Sequence, residues 1–186
     1  MIPKDAQLVF KGRLFDVYQW QQEVFDGSKI LFERLRRKPS VSILPIMPDG
    51  KIMICEEEQP GRGKFLSNPG GQVEPGETPE HAAQREFLEE TGYEGKLELW
   101  METQPYGNKI EWTVSNFIAR DCKKVAEQHL DAGERITPIF MNFDQFIDVV
   151  LTDPNFRNVE VTLAVINAMR KPGGVEELRK FLLGTS

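Results

Sequence analysis

The stretch GGQVEPGETPEHAAQREFLEETGY, residues 70–93, decides the fold. It opens as a Gly- and Pro-rich loop, Gly70-Gly71-Gln72-Val73-Glu74-Pro75-Gly76-Glu77, and turns directly into a helix. Thr78 is a good N-cap, because its hydroxyl can accept from a first-turn N–H that has no partner in the helix. Pro79 suits the first helical position and Gly92 the stop. At about 100° per residue, Glu86, Glu89 and Glu90 fall within an arc of roughly 100°. Carboxylates on one stripe repel, at a cost of about a few tenths of a kcal/mol per i,i+4 pair. These three also sit in the C-terminal half, where the helix dipole disfavours negative charge. A helix selected for stability alone would not carry them. The opposition disappears if the stripe holds a hard divalent cation, since Mg²⁺ and Mn²⁺ take oxygen ligands and bridge carboxylates to phosphates. Arg85, four residues before Glu89, can pair with it and fix its orientation. The alternative is a solvated glutamate face.

The loop and helix combine into Gly71, five residues, Glu77, seven residues, then Arg85-Glu86-Phe87-Leu88-Glu89-Glu90-Thr91-Gly92-Tyr93. This resembles the signature of the Nudix hydrolases, Gly-x5-Glu-x7-Arg-Glu-U-x-Glu-Glu-x-Gly-U, with U a bulky aliphatic residue. Phe87 and Tyr93 stand at the U positions, both bulky and apolar, which alters packing more than chemistry. The resemblance implies metal-dependent cleavage of a diphosphate linkage. It makes Glu86 and Glu90 metal ligands, Glu89 a ligand or close helper, and the Gly70 carbonyl the completion of the site. Arg85 would orient the glutamates and Glu77 would tie the loop to the helix. The implied fold is of the α/β (α+β) class, a mixed sheet sandwiched between helices.

Outward from this box, the first forty residues alternate as strands at Gln7–Phe10, Leu14–Phe25 and Lys29–Leu35, with a hairpin turn at Asp26-Gly27-Ser28. They read as an N-terminal antiparallel extension, residues 1–40, ahead of the catalytic domain, residues 41–186. Val41–Met47 and Lys51–Glu57 read as a second hairpin around Pro48-Asp49-Gly50, followed by a loop from Pro60 to Gly76. Beyond the box, Lys96–Gln104 and Lys109–Ala119 read as strands about a Tyr106-Gly107-Asn108 turn, and Arg135–Asn142 as another. Phe143–Leu151, Val159–Arg170 and Val175–Leu183 read as helices.

The flanking segments resemble the branch that hydrolyses ADP-ribose and other nucleoside diphosphate sugars. Gly12-Arg13-Leu14-Phe15, Glu57-Glu58-Gln59-Pro60-Gly61-Arg62, Asn68-Pro69-Gly70-Gly71 and Leu130-Asp131-Ala132-Gly133-Glu134-Arg135-Ile136 carry that likeness. It implies that Glu134 is the general base or an extra metal ligand, the water otherwise being activated by a metal-bound carboxylate such as Glu86 or Glu89; the alternative for Glu134 is an exposed turn residue. Many ADP-ribose hydrolases have Gln-Tyr-Arg before the box, where this chain has Gln59-Pro60-Gly61-Arg62. Arg62 is the best placement for a diphosphate-binding arginine, and a broader range of nucleoside diphosphate sugars stays open. In dimeric relatives the N-terminal strands reach the partner subunit. Trp20 is the candidate to stack on a base there, or else a core or dimer contact. Arg37, within the basic cluster Arg34, Arg36, Arg37 and Lys38, is a candidate for meeting diphosphate charge, the alternative being a solvated strand end. His81 reads as an exposed helix residue, and Trp100 and Trp112 as core.

The chain of 186 residues suits one domain with a small extra lobe. Its net charge of −6 argues against a nucleic-acid partner but not against a phosphorylated small molecule, for which a metal supplies local positive charge. No apolar run is long enough for a bilayer and no leader pattern stands at the N-terminus, so the expectation is a cytoplasmic protein; the resemblance to dimeric relatives implies a homodimer. Cys55 and Cys122 form no cluster and read as buried thiols. The expected substrate is a small nucleotide sugar, with ADP-ribose first and Mg²⁺ or Mn²⁺ as cofactor. The rivals are a hydrolase of triphosphates or dinucleoside polyphosphates, and a non-catalytic nucleotide-sensing module.

Overall fold

The structure, a computed structural model, describes residues 1–105 and 107–184. Along the chain run β1 (Gln7–Lys11), β2 (Phe15–Glu23), β3 (Lys29–Arg37), β4 (Ser40–Pro45), β5 (Ile52–Gln59) and β6 (Arg62–Ser67). Then come α1 (Pro79–Thr91), β7 (Tyr93–Thr103), β8 (Ile110–Glu111), β9 (Val114–Lys124), β10 (Arg135–Met141), α2 (Phe143–Thr152), α3 (Val159–Met169) and α4 (Gly174–Leu183).

Alternation along three strands sets the layers. Val41 and Ile43 of β4, Met53 of β5, and Phe117 and Ala119 of β9 share one core with Ala82, Ala83 and Phe87 of α1. Their neighbours Leu44, Ile52, Ile54 and Ile118 join Phe146, Val150, Val161, Val165 and Leu182 of α2, α3 and α4 in a second core. Successive strand side chains point to opposite faces, so a fully apolar run buries both sides of the sheet under helices. The result is the expected α/β/α sandwich.

By hydrogen bonding the strands fall into the sets β4-β9-β7, β10-β5-β6 and β1-β2-β3-β8. In the first, β4 runs parallel to β9 from Ser40↔Val114 to Pro45↔Ala119, and β7 is antiparallel to β9. The N-terminal sheet is antiparallel through β3, and β8 adds a short parallel pairing with β3.

Three local expectations need correction. The segment from Pro60 to Gly76 is not all loop: β6 pairs with β5 inside it. The turn at Pro48-Asp49-Gly50 forms, with Gly50 N–H donating to Met47 O at 2.9 Å, but β4 and β5 then part. Only the bridge Ile46↔Ile52 joins them, and β5 pairs with β10 and β6 instead. Lys109–Ala119 is split into β8 and β9. The turn expected at Tyr106-Gly107-Asn108 falls partly on Tyr106, outside the described residues.

Candidate active site

The box helix is built as its caps dictate. The Thr78 hydroxyl accepts from His81 N–H at 3.2 Å, and Gly92 closes the last turn with φ 76°. Phe87, 1% exposed, anchors α1 to the sheet. That anchoring turns Glu86 and Glu90 toward the preceding loop, which is itself laced to β4. Val41 N–H donates to Gly71 O and Ile43 N–H to Pro69 O, both at 2.9 Å. Between them Gly70 N–H donates to a Glu90 carboxylate oxygen at 2.8 Å. Gly71 has no room for a side chain, since a Cβ there would lie 2.3 Å from Glu86 Oε1.

Arg85 gathers the acidic groups. Its guanidinium donates to both carboxylate oxygens of Glu77 (3.0 and 3.1 Å), to Glu86 Oε1 (2.8 Å), to Glu89 Oε2 (3.1 Å) and to Gln72 O (3.0 Å). Glu77 also accepts from Glu74 N–H at 3.0 Å, which ties the loop to the helix. These bonds, those to Glu77 foremost, hold Arg85 more firmly protonated than a free arginine, while burial opposes them.

All of this faces one cleft of about 1130 Å³. Glu57, Glu86, Glu89, Glu90 and Glu134 line it, and so do Arg13, Arg37, Arg62 and Arg157. Burial pushes the Glu90 carboxyl well above the usual range; the Gly70 N–H opposes this, and the charges of Glu57, Glu86 and Glu134 reinforce it. Burial likewise raises Glu86, with Arg85 pulling the other way and Glu89 and Glu134 adding to the rise. Glu57 is raised by burial and by Glu134, against a hydrogen bond from Ser67 and the charge of Arg62. Glu134, on the loop before β10, lines the same cleft as the box helix and Glu57.

Glu57 was not singled out in the sequence, although a signal existed. Met53, Cys55 and Glu57 alternate along one face of β5, and the first two are fully buried. A charge that continues a buried face marks a site rather than a surface.

The expected binding residues divide. Arg62 and Arg37 line the cleft. Arg37 stacks 4.3 Å from the Trp112 ring centroid, and its Nε is buried without a partner. Its neighbours are engaged elsewhere, Arg36 with Glu111 at 2.9 Å and Lys38 with Glu74 at 3.1 Å. Trp20 does not line the cleft of its own chain; it tilts against Phe32 and donates to Gln22. His81 is exposed as expected, and both cysteines are buried. Trp100 is partly buried against the second core. Trp112 departs from the core reading: it is half-buried on the cleft wall and donates to Ser40 Oγ at 3.1 Å.

Among the described residues, no three His, Cys, Asp or Glu side chains stand ready-made at metal-ligand spacing. Arg85 holds Glu86 and Glu89 in an ion-pair network instead. The donor chemistry nevertheless suits a hard cation: every group is a carboxylate or carbonyl oxygen, and Glu86 and Glu90 are raised by burial first and by the neighbouring carboxylates in addition.

A loop-to-helix carboxylate site between the layers of an α/β/α sandwich defines the class, and comparison with known proteins gives the family. The NUDIX domain model matches residues 36–162. The chain is 33% identical over 148 residues to the ADP-ribose pyrophosphatase of Bacillus subtilis (strain 168), covering 76% of this chain and 78% of that protein. It is 27% identical over 151 residues to the methanol dehydrogenase activator of Bacillus methanolicus, covering 78% and 80%. A solved structure described as the crystal structure of ADP compounds hydrolase superposes with a TM-score of 0.73 at 22% identity, over 89% of this chain and 91% of that one. The chain belongs to the Nudix family and is a Nudix pyrophosphohydrolase. No helix among the described residues is long and apolar enough to cross a membrane.

Proposed function

We propose that the chain hydrolyses the diphosphate linkage of nucleoside diphosphate sugars, with ADP-ribose the first candidate, to a nucleoside monophosphate and a sugar phosphate. The observation that carries this reading is the mixed charge of the cleft: carboxylates line it, Glu90 buried among them, together with Arg13, Arg37, Arg62 and Arg157, none of which pairs with a carboxylate among the described residues. Glu86 and Glu90, with Glu89 beside them and the Gly70 carbonyl, would hold Mg²⁺ or Mn²⁺. A bound divalent cation supplies neutralisation of the diphosphate and acidifies a water molecule. Arg85 holds Glu86 and Glu89 in place, and Glu134 takes the proton of the attacking water. A new P–O bond forms as the anhydride P–O bond breaks, and the electron pair leaves on the departing phosphate. Arg37 and Arg62 offset the charge of the diphosphate. The named activity of the Bacillus subtilis relative supports the substrate class.

In the same reading the enzyme is a cytoplasmic homodimer whose N-terminal extension, residues 1–40, contacts the partner. Exposed Leu8, Phe10, Leu31 and Phe32 on the N-terminal sheet support that contact, as does Trp20, which stands outside its own chain's cleft.

The test is phosphate-product release from ADP-ribose, GDP-mannose, UDP-glucose, NADH, a diadenosine polyphosphate and a nucleoside triphosphate, with Mg²⁺, Mn²⁺ or chelator. Metal-dependent cleavage led by the diphosphate sugars is expected. Cleavage of triphosphates alone would overturn the substrate class, and full activity in chelator would overturn the metal.

A further inference from the structure

Arg157 lines the cleft without a role in the reaction described above. Arg157 sits just before α3, on a segment pinned at several points. Arg157 N–H donates to Leu66 O at 2.8 Å and Leu66 N–H to Asn155 O at 3.1 Å, while Phe156 bridges Leu66 in parallel. The next residue, Asn158, accepts from Asn68 N–H at 2.6 Å and donates to Ser42 Oγ at 3.1 Å. The segment is therefore stitched to β6 and β4, which fixes where Arg157 starts. Its guanidinium lies 5.8 Å from the centroid of Phe65, and Arg62 stacks on the same ring at 4.3 Å. Phe65 is 6% exposed, so the platform itself is rigid.

Two positive charges over one ring repel, and among the described residues neither has a carboxylate within ion-pair distance. Stacking on an aromatic ring uses the guanidinium's face and leaves its in-plane N–H donors free. Arg62 is close enough to Glu57 to pull that carboxyl down, which sets the pair at the edge of the carboxylate cluster. One phosphate of a diphosphate bridge suits this setting: its two non-bridging oxygens share a negative charge, can accept from guanidinium N–H groups, and offset the repulsion between the two arginines.

We propose that Arg157 is a second phosphate-binding arginine, which with Arg62 and Phe65 forms a seat for one phosphate of the diphosphate bridge. The proposal rests on the reading of the chain as a diphosphate hydrolase. Arg157 binds ground state and transition state alike, so its loss acts on KM more than on kcat. Glu160, on α3, lines the same cleft and disfavours further anionic groups near it.

Wild type, Arg157→Ala, Arg157→Gln and Arg157→Lys are compared in ADP-ribose turnover with Mg²⁺ and in calorimetric binding of ADP with chelator present, each checked for an unchanged melting temperature. Arg157→Ala and Arg157→Gln are expected to raise KM and weaken ADP binding roughly 10- to 100-fold, the effect of a lost charge-assisted hydrogen bond. Arg157→Lys should recover part of this, because it keeps the charge without the planar fork. KM and ADP affinity within about twofold of wild type in a folded Arg157→Gln would overturn the seat, and so would a loss confined to kcat. A wild-type enzyme that neither cleaves a diphosphate sugar nor binds ADP would instead overturn the underlying function, a result separate from any comparison of variants.

Discussion

Glu90→Gln sets stability against catalysis in one substitution. Glu90 is 8% exposed, and its carboxylate accepts from a single donor, Gly70 N–H. Glu57, Glu86 and Glu134 lie close enough to raise its pKa further. An ionised carboxylate in such a place carries an effective burial penalty of about several kcal/mol, only partly offset by one hydrogen bond. Glutamine keeps the acceptor for Gly70, removes the charge, and offers its amide N–H to the neighbouring carboxylates. The folded-state pKa of Glu90 is raised, so the folded protein binds more protons than the unfolded chain above the ordinary carboxylate value, and wild-type stability falls as pH rises from about 4.5. In chelator at pH 8 the variant should therefore be the more stable by about 1–3 kcal/mol. For a chain of this size that is a rise in Tm of roughly 3–10 °C. The gap should close toward pH 4.5. With Mg²⁺ at about 100 times its Kd, wild type gains about 2.7 kcal/mol and the variant little, so the variant's advantage in melting temperature is cancelled or reversed. Thermal unfolding at pH 5 and pH 8, with chelator or Mg²⁺, reads all four cases. A variant less stable than wild type in chelator at pH 8 would refute the reasoning, because Glu90 would then be stabilising as an anion without metal.

Two further substitutions test neighbouring parts of the site. Glu134→Gln should lower kcat by roughly two to three orders of magnitude with KM little changed, the signature of a lost general base in steady-state kinetics; a rise in KM alone would make Glu134 a binding residue. Gly71→Ala places a Cβ 2.3 Å from Glu86 Oε1 and should drive that carboxylate out of its position. Turnover should then fall at least about tenfold, and the Mg²⁺ concentration for half-maximal rate should rise, as when the support of a metal ligand is disturbed. An unchanged metal requirement would show that Glu86 does not need this pose.

The box helix was legible because its signals are local. Thr78, Pro79 and Gly92 act within a turn of their own positions, and Arg85 meets Glu89 four residues on. Strand order was less legible because pairing is not local. The Pro48-Asp49-Gly50 turn is real, yet β4 takes as its partner β9, whose first residue Val114 lies far along the chain from Ser40. β6 hid behind Pro60, Gly61 and Gly63, which read as loop: Pro60 and Gly61 form the turn, but pairing with β5 draws Gly63 and the residues after it into a strand. Trp112 reads as core from its strand-like surroundings, but the break between β8 and β9 turns it to the cleft wall beside Arg37. Glu57 needed the burial of its strand-mates before its charge had meaning.

The two walls of the cleft answer to different constraints. The acidic wall is drawn largely from one helix and the loop before it, and each member restricts the next: Gly71 leaves room for Glu86, Gly70 bonds Glu90, and Glu77 fixes Arg85. A change at any of these positions disturbs several groups, so the chemistry is written as one contiguous motif. The arginines come instead from separate places: Arg13 before β2, Arg37 at the end of β3, Arg62 at the start of β6 and Arg157 before α3. None of them pairs with a carboxylate among the described residues, so each can change with less effect on the acidic wall. If these arginines bind substrate as proposed, substrate range can shift one arginine at a time while the acidic wall stays as it is. For the same reason the motif alone identifies the family's chemistry, whereas in the proposed reading the choice of molecule rests on residues scattered over four elements.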